Sequence, residues 1–200
     1  MQDLEEALQQ IGDIRSQIAS STEFHGFGPA AVATTAALAL ATGVLQQLQP
    51  PAGLEHYLLQ WTAVATVCAL VICVEMYTRM RHQHGQMAAA LLVQALEQFL
   101  PAFACGLMLT AFSFLLAPQT LWMLPGLWQL CVAMGLFAAS RNLAPTVKMV
   151  AGFYFVCGFT VLTLSISQTE LSPWIMALPF IAGQLMMATA LKLHGDKRND

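Results

Sequence analysis

The sequence predicts an all-α polytopic membrane protein, six transmembrane helices laid out as three hairpins and preceded by a cytosolic amphipathic helix. Three observations predict it. Only 10% of the 200 residues are Asp, Glu, Lys or Arg, against about 25% in a soluble domain. Apolar residues make up 57% and the mean hydropathy is +0.61. Six stretches are long and apolar enough to cross a bilayer, which takes about 20 residues. A soluble enzyme with so few charges has too little polar surface to cover itself. Direct nucleic-acid binding is disfavoured as well, because the net charge is −3 and no basic patch exists to neutralise phosphates.

The first element, residues 1–24, reads as a cytosolic amphipathic helix. Leu4, Ala7, Ile11, Ile14 and Ile18 fall at heptad spacing and Leu8 widens the stripe. Five acids against one Arg on this segment disfavour docking on anionic lipid, which needs Lys and Arg. The stripe Leu4, Leu8, Ile11, Ile14 and Ile18 is therefore expected to meet a cytosolic protein or a second copy of itself, or to fold back on its own bundle. The segment is polar and acidic, unlike the basic-then-apolar pattern of a cleavable signal peptide.

The bundle is expected over residues 25–193. Its spans run over about 28–48, 57–76, 87–116, 121–139, 145–166 and 173–193, with a cytosolic tail at 194–200. Pro29, Pro145 and Pro173 stand near the starts of spans, where the first-turn N–H has no helical partner to lose. The connections are short, as antiparallel hairpins require.

The basic residues set the orientation. Arg15, Arg79, Arg81, Arg141, Lys148, Lys192, Lys197 and Arg198 all fall on one side of this layout, and loops 49–56, 117–120 and 167–172 hold none. Lys and Arg near span ends are retained on the cytoplasmic side. The expectation is a multi-pass protein of the cell inner membrane with both termini cytoplasmic. Tyr57, Trp61, Trp122 and Trp174 sit at the opposite ends of spans and read as an interfacial aromatic belt. The five cysteines lie within spans and read as buried small hydrophobes.

Ionisable groups inside spans are costly and are functional candidates by default. Glu75 precedes Arg79 by four residues, the order that favours a local ion pair. Glu97 falls about ten residues into span three, roughly 15 Å at 1.5 Å per residue. Gln94, Gln98 and Pro101 cluster around it, and Pro101 cannot donate to the Glu97 carbonyl. Gln129 and Gln184 are expected at comparable depth. Two readings stay open for Gln94, Glu97, Gln98, Gln129 and Gln184: a polar pocket for a small ligand or a coupled proton, or a hydrogen-bonded strut at a helix kink.

The five histidines lie near span ends, where none can serve as an axial haem ligand. His82, His84 and His194 read as hydrated inner-side residues, so no metal site and no cofactor are expected. No GxSxG, HExxH, P-loop or CxxC pattern occurs, and the chain is expected not to be an enzyme.

Span one is rich in small residues, with Ala33, Ala37 and Ala41 at four-residue steps, which favours close helix approach. Spans four and six echo each other, with Trp122 and Pro125 before Gln129 and Trp174 and Pro179 before Gln184. The echo fits repeated hairpins.

Three stretches carry a resemblance: 22–29 (TEFHGFGP), 121–129 (LWMLPGLWQ) and 171–174 (LSPW), with the Ala138–Arg141 end of span four and the 3–18 helix. With these the chain resembles an uncharacterised family of small six-span bacterial inner-membrane proteins. That family tends to have Arg and Tyr at the positions of His25 and Phe27. The resemblance implies a gene setting beside a winged-helix regulator, hence a cytosolic protein partner, and carries no activity or site residues with it. Two functions compete. One is a non-enzymatic sensor or scaffold that binds a cytosolic protein, such as a transcription regulator, through its inner face. The other is a small-molecule or proton-coupled transporter that uses the Glu97 pocket.

Overall fold

The computed structural model describes residues 28–82, 86–140, 146–166, 168 and 170–196, with side chains for these except 79–96 and 193–196. The amphipathic helix expected over 1–24, and its Leu4, Leu8, Ile11, Ile14 and Ile18, lie outside the described residues. Within them the chain is all-helical, and six helices are long and apolar enough to span a membrane. They are α1 (Pro29–Leu48), α2 (Leu54–His82), α3 (Gln86–Leu115), α4 (Leu124–Ala139), α5 (Val147–Leu164) and α6 (Pro173–Asp196). A 3-10 segment, Pro118–Met123, leads into α4.

Local chemistry sets the helix ends. Gly28 caps α1 in an extended conformation and Pro29 takes the first helical turn, where its missing N–H costs nothing. After α1, Pro50 and Pro51 stop helix propagation. Gly53 then adopts φ +130, a conformation that side chains rarely tolerate, and its carbonyl accepts from the Tyr57 N–H at 3.1 Å to start α2. Pro101 and Pro179 lie inside α3 and α6. Each frees one carbonyl four residues earlier, on Glu97 and Ile175.

The six helices pack in the order α2–α1–α6–α5–α4–α3. The two most extensive interfaces, α4 with α5 and α1 with α6, are close crossings at small residues. A Cβ on Gly126 would stand 2.8 Å from the Gly158 carbonyl oxygen, and a Cβ on Gly158 3.0 Å from the Gly126 oxygen. A Cβ on Gly43 would stand 2.8 Å from Ala177 Cβ. Only glycine permits this approach, which in lipid supplies the packing that holds helices together. Two further interfaces seat a ring over a glycine: Phe99 of α3 covers Gly135, and Tyr154 of α5 covers Gly183.

The row does not close into a ring. α2 packs on α1 and touches the 3-10 segment, α3 packs on α4 and the 3-10 segment, and no comparable contact joins α2 to α3. These two helices hold the least buried membrane windows of the six. The bundle is an arch, with α2 and α3 as facing ends.

Two cores fill it. One lies near the loops that carry no basic residues and joins Ala39, Tyr57, Leu58, Trp61, Leu121, Leu124, Leu171, Met176 and Ala177. The other joins Ala133, Val150 and Tyr154, with Phe180, Met186 and Met187 against them.

Three sequence expectations change here. Tyr57 and Trp61 are not an interfacial belt, since they are only 2% and 4% exposed and point into the bundle. On α1 the buried stripe is Ala31, Thr35, Ala39 and Gly43, while Ala37 and Ala41 are exposed. The echo between spans four and six is local to the sequence: Pro125 opens α4, whereas Pro179 lies within α6.

The Gly126–Gly158 crossing makes a direct prediction. Gly126→Val forces α4 and α5 apart and destabilises the bundle by about 1–3 kcal/mol. Thermal unfolding in detergent reads this out. Gly152→Val, at a position with no atom within 4 Å of a new Cβ, stays near the parent protein.

Candidate functional site

The arch encloses a cavity of about 410 Å³ between α2 and α3, within the size range of small-molecule sites. α2 contributes Trp61, Thr62, Ala65, Cys68, Ala69 and Cys73 to its walls, and α3 contributes Phe99, Ala102, Phe103, Gly106 and Thr110. Its back is formed by Thr35 and Ala39 of α1, Trp128 and Cys131 of α4, and Phe180 and Gln184 of α6. Only α5 has no lining residue.

The walls are more apolar than their residue types imply, because the hydroxyls are consumed. Thr62 Oγ1 donates to the Leu58 carbonyl at 2.8 Å, Thr66 to Thr62 at 2.9 Å, and Thr35 to Val32 at 2.7 Å. Thr110 Oγ1 donates to the Gly106 carbonyl at 2.7 Å and accepts from Trp128 Nε1 at 2.8 Å. Each threonine thus returns its proton to its own helix and leaves the cavity no free hydroxyl donor from these residues. What remains is a hydrocarbon-like lining with soft thiols and aromatic faces.

One end of the cavity is roofed by the Tyr57–Trp61–Met176 core. A buried polar clasp holds that roof. Gln46, 2% exposed, accepts from Trp61 Nε1 at 3.0 Å and donates to Gln60 Oε1 at 2.7 Å and to the Tyr57 carbonyl at 3.4 Å. Tyr57 Oη donates to the Ser172 carbonyl at 3.4 Å. These bonds tie α1, α2 and the approach to α6 together, and the buried Gln46 and Trp61 groups need their partners.

The structure distributes the polar residues singled out by sequence. The Gln94 side chain lies outside those described. Glu97 is exposed on α3, and its neighbour Gln98 is half-buried with Oε1 buried and unpartnered. Gln129 is fully buried, with neither Oε1 nor Nε2 partnered. Of the four whose side chains are described, Gln184 alone lines the cavity; it lies beside the buried Tyr154 hydroxyl without a well-formed hydrogen bond to it. α3 and α4 run antiparallel, with Thr110 bonded to Trp128 and Phe99 against Gly135. Glu97 therefore stands roughly 12–18 Å along the axis from the level of Gln129, eight to twelve residues at 1.5 Å each. The polar residues are not gathered at one point.

Sequence reasoning missed the cavity walls. Their residues carry no charge and no motif, and each span is apolar all round, so no stripe marks the inward face. Comparison of the chain with family models, with curated proteins and with solved structures returned no match.

Breaking the clasp tests the roof. Gln46→Leu leaves the buried Trp61 N–H without an acceptor and lowers stability by about 1–3 kcal/mol. Gln47→Leu, at an exposed neighbour, serves as the control in the same thermal measurement.

Proposed function

We propose that this protein is a non-enzymatic membrane sensor. An apolar molecule passes laterally from the bilayer between α2 and α3 and occupies the cavity. The inner face then binds a cytosolic protein according to occupancy, with a transcription regulator the candidate that the sequence resemblance favours. The observation that carries the reading is the lipid-accessible apolar cavity between two helices that do not pack on each other. Such helices adjust their spacing at little cost in contacts. Binding without chemistry fits a lining of alkyl groups, indoles, phenyl rings, thiols and self-satisfied hydroxyls, with the single amide of Gln184. Glu97 stands outside the lining, so a transporter built on that residue is not the reading the geometry favours.

The test is retention of an apolar ligand. The purified full-length protein is stripped in detergent and offered fractions of a membrane lipid extract. An apolar fraction is expected to raise the thermal midpoint. Ala69→Phe with Ala102→Phe, which fills the cavity from opposite walls, removes that response, while Ala37→Phe on the exposed face of α1 preserves it. A response equal in all three proteins would rule the cavity out. Deletion of residues 1–20 is expected to leave the response intact while abolishing recovery of the cytosolic partner.

A further inference from the structure

The cavity wall withholds almost every hydrogen-bond donor it contains. The indole N–H of Trp61 is committed to Gln46, and that of Trp128 to Thr110. The hydroxyls of Thr35, Thr62, Thr66 and Thr110 donate to carbonyls of their own helices. Thiols donate only weakly. Among the described lining residues this leaves one strong donor, the amide of Gln184. No Asp, Glu, Lys, Arg or His stands among them. An ionised ligand would be buried there without a counter-charge, so the wall selects a neutral one.

A second polar group backs Gln184. Tyr154 of α5 lies behind the wall, its ring centroid 5.7 Å from that of Phe180 and its hydroxyl against Gly183. Phe180 and Gln184 stand one turn apart on α6, and both line the cavity. Tyr154 is 1% exposed, and its Oη makes no well-formed hydrogen bond although the Gln184 amide lies beside it. A buried hydroxyl proton needs an acceptor. The two orientations of an amide have nearly the same shape. Only the one with Oε1 toward Tyr154 gives that proton an acceptor, and it leaves Nε2 for the cavity.

We infer that Gln184 is the polar anchor of the cavity, and that the occupant is an uncharged apolar molecule carrying a carbonyl oxygen. Gln184 Nε2 donates to that oxygen. Tyr154 is the positioning residue: it donates to Gln184 Oε1 and fixes the amide. Met176 belongs to the roof core, and Gln184 follows it on α6 by eight residues, about 12 Å of helix axis. The carbonyl is therefore held away from the Trp61 roof, and the apolar body extends toward it. This inference rests on the sensor reading above and names the chemical class of its ligand.

Matched ligands test it. The purified full-length protein in detergent is titrated with a long-chain methyl ketone, with the secondary alcohol of the same skeleton and with the parent alkane. Apparent affinity is read from the rise of the thermal midpoint with ligand mole fraction. The ketone is expected to bind about fivefold tighter than the alkane, the worth of one net hydrogen bond, and tighter than the alcohol, whose proton finds no acceptor on the amide. This ranking in the parent protein needs no variant. Gln184→Leu, or Gln184→Met where leucine impairs folding, removes the difference between ketone and alkane. Tyr154→Phe keeps the ketone ahead of the alkane but abolishes its advantage over the alcohol, because the released amide turns either way. Ala69→Phe with Ala102→Phe lowers binding of all three, and circular dichroism shows that each variant is folded.

Equal affinity for the three ligands, lost when the cavity is filled, would overturn the carbonyl assignment and leave the apolar-ligand reading standing. An alcohol that binds tighter than the ketone would do the same, as would a ketone preference that survives Gln184→Leu in a folded protein. Unchanged ketone-over-alcohol selectivity in Tyr154→Phe would overturn the positioning role. A response to none of the ligands, or one that filling the cavity does not alter, would overturn both readings.

Discussion

Helices surrounded by hydrocarbon gain nothing from hiding apolar surface, since lipid tails are as apolar as leucine. They adhere only where their backbones approach closely enough for dense packing. The whole arrangement depends on that constraint. Gly126 with Gly158 joins α4 to α5, and Gly43 with Ala177 joins α1 to α6. Phe99 over Gly135 adds α3 to one end of the row, and Tyr154 over Gly183 joins the two halves. α2 is held to α1 mainly by the polar clasp around Gln46. Among the described residues nothing of either kind links α2 to α3, and the cavity lies in the gap.

The same solvent governs the polar side chains. A hydroxyl in lipid must find an acceptor, and the nearest is the carbonyl three or four residues back. The threonines of the cavity wall all take that solution. They behave as small apolar residues, which is why a wall with four threonines suits a hydrocarbon chain. Amides cannot satisfy themselves in this way. Gln46 meets its partners on α2, whereas Gln129 is buried with both polar atoms unpartnered, and Tyr154 Oη and Ser165 Oγ are in the same state. Those unmet groups cost stability where they stand.

Much of the fold was legible in the chain. Scarce charge and six apolar stretches predict six helices, because an unpaired backbone is not tolerated in lipid and a helix satisfies its own. Proline and glycine placement predicts several ends, Pro29 at the start of α1 being the plainest case. The site was far less legible. Of the polar residues chosen by depth along the spans whose side chains are described, only Gln184 lines the cavity, and Glu97 and Gln129 lie at different levels once Thr110 pairs with Trp128. Tyr57 and Trp61 have the composition of a membrane belt, yet Gln46 draws them inward. The sequence by itself determined that these residues form six apolar helices, since that follows from hydropathy counted along one dimension. Only the tertiary structure decided which helices are neighbours, which faces turn inward and that α2 and α3 stand apart, because those choices rest on glycine-scale fits between helices that no one-dimensional pattern encodes.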